Sequence, residues 1–453
     1  MRQARTLLLA VALALPGAGH GMTLEEAFAA AVDRSPELRR QYARYQSMRE
    51  MRNEARSNYY PQLGLRGAVG PEYTKYRSGQ YVGENYTRDN LSLFVRQMLF
   101  NGFETPANSQ RLSEEAEAER LQLKASAENL ALQVCETYLD ARQAQELVRL
   151  AEKHVQDHLS VLEDVKGLVR TGHASETDVA QASARLANAR ASLVSAQNDA
   201  RDNDARFLRL VGASPAQLVD PVPDLALLPD SVDTAMQWAR DNHPQLQSAA
   251  ADVRAAAQEV RASRSGYFPR VSVEGSANRG HNIGGLEGRE EDYRIMLVLE
   301  YDLFNGWRDV SRERASSWRH GEAKEIQRNA EDQLMEGTRF SWNAWKSLNE
   351  QEQIQRAAVD ASTLSESGYI TQFKLGRRSL LDLLNAKAEV FLARRNYLSA
   401  HYDRVQAAYR LFNATGRLGY GLRVPYPQEW EADAKAGDPD AARPAEATAG
   451  GVK

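Results

Sequence analysis

The sequence predicts a membrane protein of mixed α and β structure. Each chain is expected to supply four transmembrane β-strands to a barrel shared between copies, and long α-helices continue from that barrel as a coiled coil. Three observations support this fold class: an internal two-fold repeat, segments of alternating apolar and polar residues, and very long stretches of helical periodicity. Beyond the N-terminal segment no apolar stretch is long enough for a membrane helix, so a membrane role requires β-strands.

The first residues have the pattern of a secretory signal peptide. Residues 1–5 carry two arginines, the run Leu7–Leu15 is apolar, and small residues suited to cleavage follow. We therefore expect a cleaved signal peptide at residues 1–21 and a mature chain that starts near Met22. Cys135 is the single cysteine, so no internal disulfide can form.

Composition and motifs argue against several classes of protein. The net charge is −4, which does not indicate a nucleic-acid surface. Charged residues make up 26% of the chain in nearly balanced numbers, as suits long solvated helices. The sequence has no P-loop, nucleophile elbow, HExxH or paired CxxC motif. We therefore expect no enzymatic activity, no cofactor and no nucleotide hydrolysis by the chain itself.

One repeat period covers almost the whole mature chain. The tetrapeptide LFNG at Leu99–Gly102 returns at Leu303–Gly306, 204 residues later. Ala27–Leu38 resembles Ala235–Leu246 at an offset of 208, so the change of offset marks a length difference in a loop. We assign repeat 1 to residues 22–229 and repeat 2 to residues 230–418. The helices that open the repeats are predicted at Thr23–Arg34 and on to about Arg56, and at Ser231–Asn242 and Gln245–Arg264.

The period then changes from helical to alternating, in about residues 62–100 and 270–304. Leu63, Leu65 and Val69 alternate with polar or small residues, and Phe94 interrupts the pattern in the next segment. Each strand has roughly the 10 residues that a tilted strand needs to cross a bilayer. Aromatic residues at the strand ends are expected to form girdles at both water interfaces. They are Tyr59, Tyr60, Phe100, Phe103, Tyr267, Phe268, Phe304 and Trp307.

Helical periodicity returns after each LFNG copy. Long helices are predicted at about residues 104–166, 175–210, 307–370 and 379–414. The first would be roughly 90 Å long at 1.5 Å per residue. Small and apolar residues recur at spacings of four and three in the second helix of each pair, which is typical of a coiled-coil seam. They are Ala182, Leu186, Ala189, Leu193, Ala196 and Ala200, and Ala386, Val390, Ala393, Tyr397 and Ala400.

Four strands are too few for an independent membrane structure. An open sheet in lipid leaves its edge groups unpaired, and about eight strands give a barrel that side chains just fill. Three copies would give twelve strands, enough for a water-lined opening. The polar residues expected to face that opening are Arg66, Ser92, Arg96, Ser272, Glu274, Arg294 and Glu300.

From Thr23 to Leu418 the chain resembles the TolC family of outer-membrane efflux proteins. The matching pieces include YYPQLGL, both LFNG copies, TGHASETDVAQASARL and QFKLGRRSLLDLLNAKAEVF. The resemblance implies a homotrimer in the Gram-negative outer membrane, with a 12-stranded barrel and a periplasmic helical tunnel. It also implies a periplasmic adaptor and an inner-membrane ABC transporter or other efflux pump as partners. QFKLGRRSLLDLLNA resembles the branch that serves type I protein secretion, including large adhesins; small-molecule efflux is the alternative.

The resemblance also implies which residues close the inner end of the tunnel. Those in the corresponding places are Thr177, Asp178, Phe373, Arg378, Asp382 and Asn385. Arg378 could form charged hydrogen bonds to Asp178 on a neighbouring hairpin. Three Asp382 carboxylates would form an acidic ring that favours cations. Opening is expected to untwist the hairpin of repeat 2 once the contacts of Arg378 break.

Two residues depart from the family pattern at this gate. Asn385 stands where the family often has a second Asp, and Phe373 stands where a Tyr hydroxyl could help to hold the gate. Both the acidic field and the latch are therefore expected to be weaker. Gly172 and Gly376 mark the hairpin tips, where the family meets its adaptor.

Simpler interpretations of these residues stay open. Asp178 and Asp382 could serve only as helix caps, since each follows a serine by three residues. His154 and His158 have the spacing of zinc ligands, but a solvated helix face is favoured because no third ligand is evident.

A soluble periplasmic scaffold is an alternative class of protein, but it would not need four bilayer-length strands. The tail at residues 419–453 lacks a hydrophobic pattern and is expected to be disordered.

Overall fold

A computed structural model describes residues 21–74, 84–285 and 287–431. The predicted signal peptide lies almost wholly outside the described residues, as do parts of both loops between paired strands. No helix in the described part of the chain is both long enough and apolar enough to cross a membrane.

Long helices dominate the secondary structure. α3 and α7 each contain 67 residues, and each is followed by a helix of about half that length. Their equal lengths reflect the sequence repeat. The helices are α1 Leu24–Arg34, α2 Pro36–Ser57, α3 Glu104–Arg170, α4 Glu176–Val211, α5 Val232–Asn242, α6 Pro244–Ser263, α7 Arg308–Lys374, α8 Leu380–Ala414 and α9 Leu418–Gly421.

Side-chain caps and prolines set the first helix boundaries of each repeat. The Thr23 hydroxyl accepts the N–H of Glu26, and the Glu26 carboxylate accepts the N–H of Thr23, which closes a capping box around the start of α1. The Ser231 hydroxyl caps α5 in the same way by accepting the N–H of Thr234. Proline occupies the first position of α2 and of α6, where a missing N–H costs nothing.

The strands form one antiparallel sheet in the order β1-β2-β3-β4. Their bounds are β1 Gln62–Thr74, β2 Glu84–Asn101, β3 Arg270–His281 and β4 Arg289–Glu300. The register pairs Leu63 with Val95, Val95 with Gly275, and Gly275 with Ile295. Except beyond the bulge between Met98 and Phe100 in β2, residues of odd number therefore share one face, the apolar face. Residues of even number share the opposite polar face, and all seven residues predicted to face the opening lie on it.

Phe94, which interrupts the alternation, lies on the polar face opposite Gly64. A Cβ atom placed on Gly64 would clash with the Phe94 ring. The ring therefore occupies the space that the glycine leaves on the neighbouring strand, which explains why a large aromatic residue is found among polar ones.

Both LFNG copies form turns with the same unusual backbone. Gly102 and Phe103 have φ values of 67° and 66°, and Gly306 and Trp307 both have 64°. Left-handed backbone is rare for bulky residues such as Phe and Trp. The copies differ in one respect: β2 continues into its LFNG copy as far as Asn101, whereas β4 ends at Glu300, before its copy begins, although both strands end opposite Arg270 of β3.

The eight aromatic residues all lie at the same end of the strands. The prediction that they form girdles at both water interfaces is therefore wrong. They precede β1 and β3, or lie at or after the ends of β2 and β4. In an antiparallel sheet these four positions meet at the end of the sheet that joins the helices. Phe100, Phe103 and Phe268 contact one another edge-on there, with ring centroids 5.1 to 6.4 Å apart.

The chain divides into two compact units that do not coincide with the repeats. Unit 1 contains the segment ending at Leu38, Ser126–His243 and Leu334–Tyr426. Its core is centred on Phe28, Tyr138 and other fully buried side chains of several helices. The Tyr138 hydroxyl lies 2.7 Å from the carbonyl oxygens of Met22 and Val219, which fixes the segment before α1 to the linker after α4.

Unit 2 contains Arg39–Ala125, Pro244–Gln333 and the segment that begins at Pro427. It includes the sheet and a smaller helical core in which Ala251 of α6 packs against α3. The Ser248 hydroxyl donates to the Ala118 carbonyl at 2.9 Å, and Arg254 pairs with Glu114 at 2.7 Å. Small residues and ion pairs thus hold α6 close to α3.

The tail prediction is wrong for residues 419–431. In unit 1, Leu422 is buried, and the N–H groups of Leu418 and Gly419 donate to the Glu128 carboxylate. In unit 2, Trp430 is buried and its carbonyl accepts a hydrogen bond from Arg120. These anchors involve side chains far away in sequence. Residues 432–453 lie outside the described residues.

Candidate functional site

The α3–α4 and α7–α8 hairpins end in turns of identical geometry. The Gly172 N–H donates to Val169 and the His173 N–H donates to Leu168, at 3.0 and 2.8 Å. The Gly376 N–H bonds Phe373 in the same manner, at 2.9 Å. This is the Schellman arrangement, which needs a left-handed residue after the helix, and both glycines have φ near +70°. The predicted tips are therefore helix ends at matching positions of the repeats.

A serine and an aspartate cap the helix that follows each turn. The Ser175 hydroxyl accepts the N–H of Asp178, and the Asp178 carboxylate accepts the N–H and hydroxyl of Ser175 at 2.9 and 2.8 Å. Ser379 and Asp382 form the same contacts in α8. The bonds from the Ser175 backbone N–H and hydroxyl lower the pKa of Asp178. These contacts show that both aspartates cap their helices, and a role of either in a gate stays a prediction.

An apolar cluster beneath the turns joins the two hairpins. Its buried members come from α3 and α8, and partly buried residues of α4 and α7 pack against it. Phe373 is one of the partly buried members, so its ring acts in packing at this position. The cluster comprises Val161, Val165, Leu380, Leu383 and Leu384, with Val179, Ile370 and Phe373 around it.

Arg378 does not contact Asp178 within the chain. Its Nε donates to the Gln372 side chain at 3.0 Å, and its guanidinium lies 5.0 Å from the ring centroid of Tyr369. Both partners belong to the end of α7, so Arg378 closes the turn of its own hairpin. Sequence reasoning missed these partners, although a cation six residues after a polar helix-end residue would have been a usable signal.

The remaining predicted residues lie on exposed faces. Thr177 is exposed in the first turn of α4. Asn385 is exposed on α8 and accepts a hydrogen bond from Arg185 of α4 at 3.1 Å. This bond links the second helices of the two hairpins. Together with the apolar cluster, it makes the hairpin ends one connected assembly within unit 1.

His154 and His158 are packed between helices, not on the predicted solvated face. The His154 ring stacks on Phe391 of α8 with centroids 4.0 Å apart, and His158 is 2% exposed. Burial and then the nearby His154, Lys387 and Arg185 lower the pKa of His158 to about 4. Positive neighbours disfavour a metal cation here. Lys387 itself is paired with Glu366 of α7 at 3.1 Å.

Acidification from pH 7 to pH 5 is expected to lower the free energy of unfolding by about 2 kcal/mol through His158 alone. The pKa of His158 is about 4 in the folded chain, against an ordinary value of 6.5 for an exposed histidine, so the unfolded chain binds the proton first. The stabilisation by neutral His158 is complete above pH 6.5 and is lost as the pH falls toward 4. Guanidinium unfolding followed by circular dichroism at the two pH values measures the difference.

In His158→Leu, which cannot titrate, this pH-dependent loss should shrink by about 2 kcal/mol. The matched control is His173→Gln, because His173 is exposed in the α3–α4 turn. An equal loss in wild type and His158→Leu would contradict the assignment.

Comparison with known proteins places this architecture in a family. Residues 28–213 and 235–417 each match the family described as outer membrane efflux protein. The outer membrane efflux protein BepC of Brucella suis is 26% identical over 365 residues, covering 80% of this chain and 78% of BepC. The alkaline protease secretion protein AprF of Pseudomonas aeruginosa is 24% identical, covering 91% of this chain and 88% of AprF.

Solved structures agree in fold. The CmeC outer membrane channel of Campylobacter jejuni superposes with a TM-score of 0.76 at 13% identity, covering 87% of this chain and 86% of that chain. The predicted fold class is thereby confirmed. The family consists of channel proteins, which agrees with the prediction that this chain is not an enzyme. The chain belongs to the family of outer membrane efflux proteins and is a Gram-negative outer-membrane channel with a large periplasmic part.

Proposed function

We propose that this channel is the exit duct of a type I protein secretion system. In this proposal a homotrimer conducts its cargo passively, from an inner-membrane ABC transporter and a periplasmic adaptor to the outside. The cargo class is secreted protein, including large adhesins. Energy comes from the partners, since the sequence has no nucleotide-binding motif.

The sheet supports the trimer. Within the described residues β1 and β4 each pair on one side only. Unpaired edge groups are not tolerated in lipid, so the edges must pair with other copies. Three copies supply twelve strands, and the polar face of each sheet would line the opening with Arg66, Arg96 and Glu274 among others.

The hairpin ends support a gate and a docking site for the adaptor. Arg378, Asp178 and Asp382 lie near two turns of the same geometry, around Gly172 and Gly376. We propose that the turns meet the adaptor and that opening begins when the bonds of Arg378 within its hairpin break. We propose that the charged hydrogen bond from Arg378 to Asp178 forms only between hairpins of different copies of the chain.

The similarity to AprF over 91% of this chain carries the secretion proposal, because AprF is named as a protein that serves protease secretion. The similarity to BepC, which is named as an efflux protein, favours small-molecule efflux as the second candidate. The two functions share this architecture and differ in the inner-membrane partner and in the cargo.

A gene deletion distinguishes the candidates. The secretion proposal expects proteins to disappear from the culture medium, with unchanged sensitivity to drugs and dyes, and restoration by a plasmid copy. Proteomics of the medium and inhibitory drug concentrations provide the two measurements. Co-purification of the native complex should recover an ABC transporter.

A deletion strain that becomes drug-sensitive while its secreted proteins are unchanged would overturn the secretion proposal and support efflux. Recovery of an ion-driven pump in place of an ABC transporter would have the same meaning. The control is a strain that expresses the chain without residues 1–21, which should restore neither property if export is required.

A further inference from the structure

We propose that the apolar face of β3 binds a phosphorylated glycolipid of the outer leaflet, with one acyl chain in a groove between β2 and β4 and a phosphate on Arg279. The proposal rests on the register of the sheet and on the change of residue type along β3. It concerns the surface toward lipid, so it is independent of what the channel conducts.

The groove has a volume of about 510 Å³. Its floor is formed by Gly275 and Ala277, two consecutive residues of the apolar face of β3. A Cβ atom on Gly275 would lie 2.9 Å from the Val95 side chain, so a larger residue there would fill the space. The walls are larger side chains of the flanking strands, paired with the floor residues by the register: Leu93, Val95, Tyr293 and Ile295.

A flexible apolar chain suits the apolar floor and walls of this groove. The apolar face of the sheet contacts the hydrocarbon core of the bilayer in an outer-membrane channel. An unfilled groove would forfeit dispersion contacts along its whole lining. Because lipid tails are as apolar as the protein surface, close packing provides the attraction in this setting, and a mobile chain can adopt the shape of the groove.

Two arginines, Arg279 and Arg289, follow the groove on the same face. Arg279 and His281 are the next two apolar-face positions of β3, so Arg279 comes about 6.6 Å beyond Ala277 along the strand. Arg289 of β4 is the register partner of His281. The charge therefore appears where a lipid headgroup would lie if its chain occupied the groove.

Carboxylates accompany these cations without saturating Arg279. Glu291 lies 3.9 Å from Arg279 Nε, beyond hydrogen-bond distance, and also pairs with Arg289. Asp89 lies 3.1 Å from His281. The Arg279 side chain is 59% exposed, and its planar group of N–H donors matches a phosphate in bidentate geometry.

The direction of the strands places this charged end at the outer leaflet. β2 and β4 lead into α3 and α7 at one end of the sheet, and those helices are periplasmic in this family. Arg279 and His281 lie at the opposite end of the strands, which faces the outside. The outer leaflet of a Gram-negative outer membrane consists of phosphorylated glycolipid, so the occupant has both required parts.

Native mass spectrometry of the full-length protein in detergent tests the proposal, with diphosphoryl lipid A and its dephosphorylated form as probes. Wild type should retain the diphosphoryl form about tenfold more tightly, since a charged hydrogen bond contributes about 1.5 kcal/mol or more. Arg279→Gln should abolish this preference. Ala277→Leu, which fills the groove, should reduce retention of both forms.

The matched control is Arg66→Gln, the same substitution on the polar face, which should bind as wild type does. Each variant must migrate as wild type does in unheated gels, so that a folding defect is recognised. Equal retention by wild type and Arg279→Gln, or equal loss in Arg66→Gln, would overturn the proposal. Displacement of the lipid by excess inorganic phosphate would reduce the site to a phosphate site and would likewise overturn it.

Discussion

Replacing Arg378 with serine is expected to raise the open probability of the channel in a planar lipid bilayer by about tenfold. Arg378 contributes one hydrogen bond to Gln372 and one cation–π contact to Tyr369. In the proposed gate, these contacts together contribute about 1.5 kcal/mol to the closed state. A shift of about 1.4 kcal/mol changes a two-state equilibrium by about tenfold. Single-channel recording at fixed voltage measures the change.

Arg377→Ser is the matched control for this substitution. Arg377 precedes Arg378 in the same turn and is exposed, and the bond it supplies to Gln372 is made by its backbone N–H. The control removes one positive charge from the turn while both contacts of Arg378 persist. Equal open probability of wild type and Arg378→Ser would count against the gate, and an equal rise in open probability in Arg377→Ser would mean that local charge alone causes the effect.

Replacing Glu128 with alanine is expected to lower the free energy of unfolding by about 3 to 5 kcal/mol. Its carboxylate accepts hydrogen bonds from the N–H groups of Leu418 and Gly419 and from the Tyr426 hydroxyl, at 2.7 to 3.0 Å. Burial raises the pKa of Glu128, and the three bonds oppose that shift. Each donor that loses its bond to the carboxylate costs about 1 to 3 kcal/mol, and partial relaxation reduces the sum.

Unfolding in guanidinium chloride followed by circular dichroism gives this free energy. Limited proteolysis should cut Glu128→Ala first near residues 418–426, because the three donors all belong to that segment. Glu128→Gln keeps one acceptor oxygen and should lose about half as much stability as Glu128→Ala. Equal stability of wild type and Glu128→Ala would mean that the segment is held by its apolar contacts alone.

Local signals were sufficient to predict most secondary structure. Period-two alternation identified both strand pairs, and the register confirms that Arg66 and Glu274 share a face. The predicted start of α1 at Thr23 lies within one residue of the observed start at Leu24, and the capping box there is built from residues three apart. The two hairpin tips followed from glycine, since only the left-handed backbone completes the Schellman bonds at Gly172 and Gly376.

The candidate site could be located from the sequence, but its contacts could not be assigned. Resemblance to the family indicated Arg378 and Asp178, but the partners of each depended on side-chain geometry at the turn. Asp178 is bonded to Ser175, and Arg378 to Gln372 and Tyr369, so neither satisfies the other within one chain. Burial of His158 was missed for a related reason, because its neighbours come from other helices.

The sequence by itself determined that this protein has two repeats, amphipathic strands and long helices, since these properties depend on spacings within a few residues. The tertiary structure decided which distant residues meet. It brought Glu128 to a segment 290 residues further along the chain. It also placed the aromatic residues at one end of the strands and Arg279 beside the groove on β3. Such pairings depend on strand order, register and helix packing, and a sequence read locally carries no information on distances across the fold.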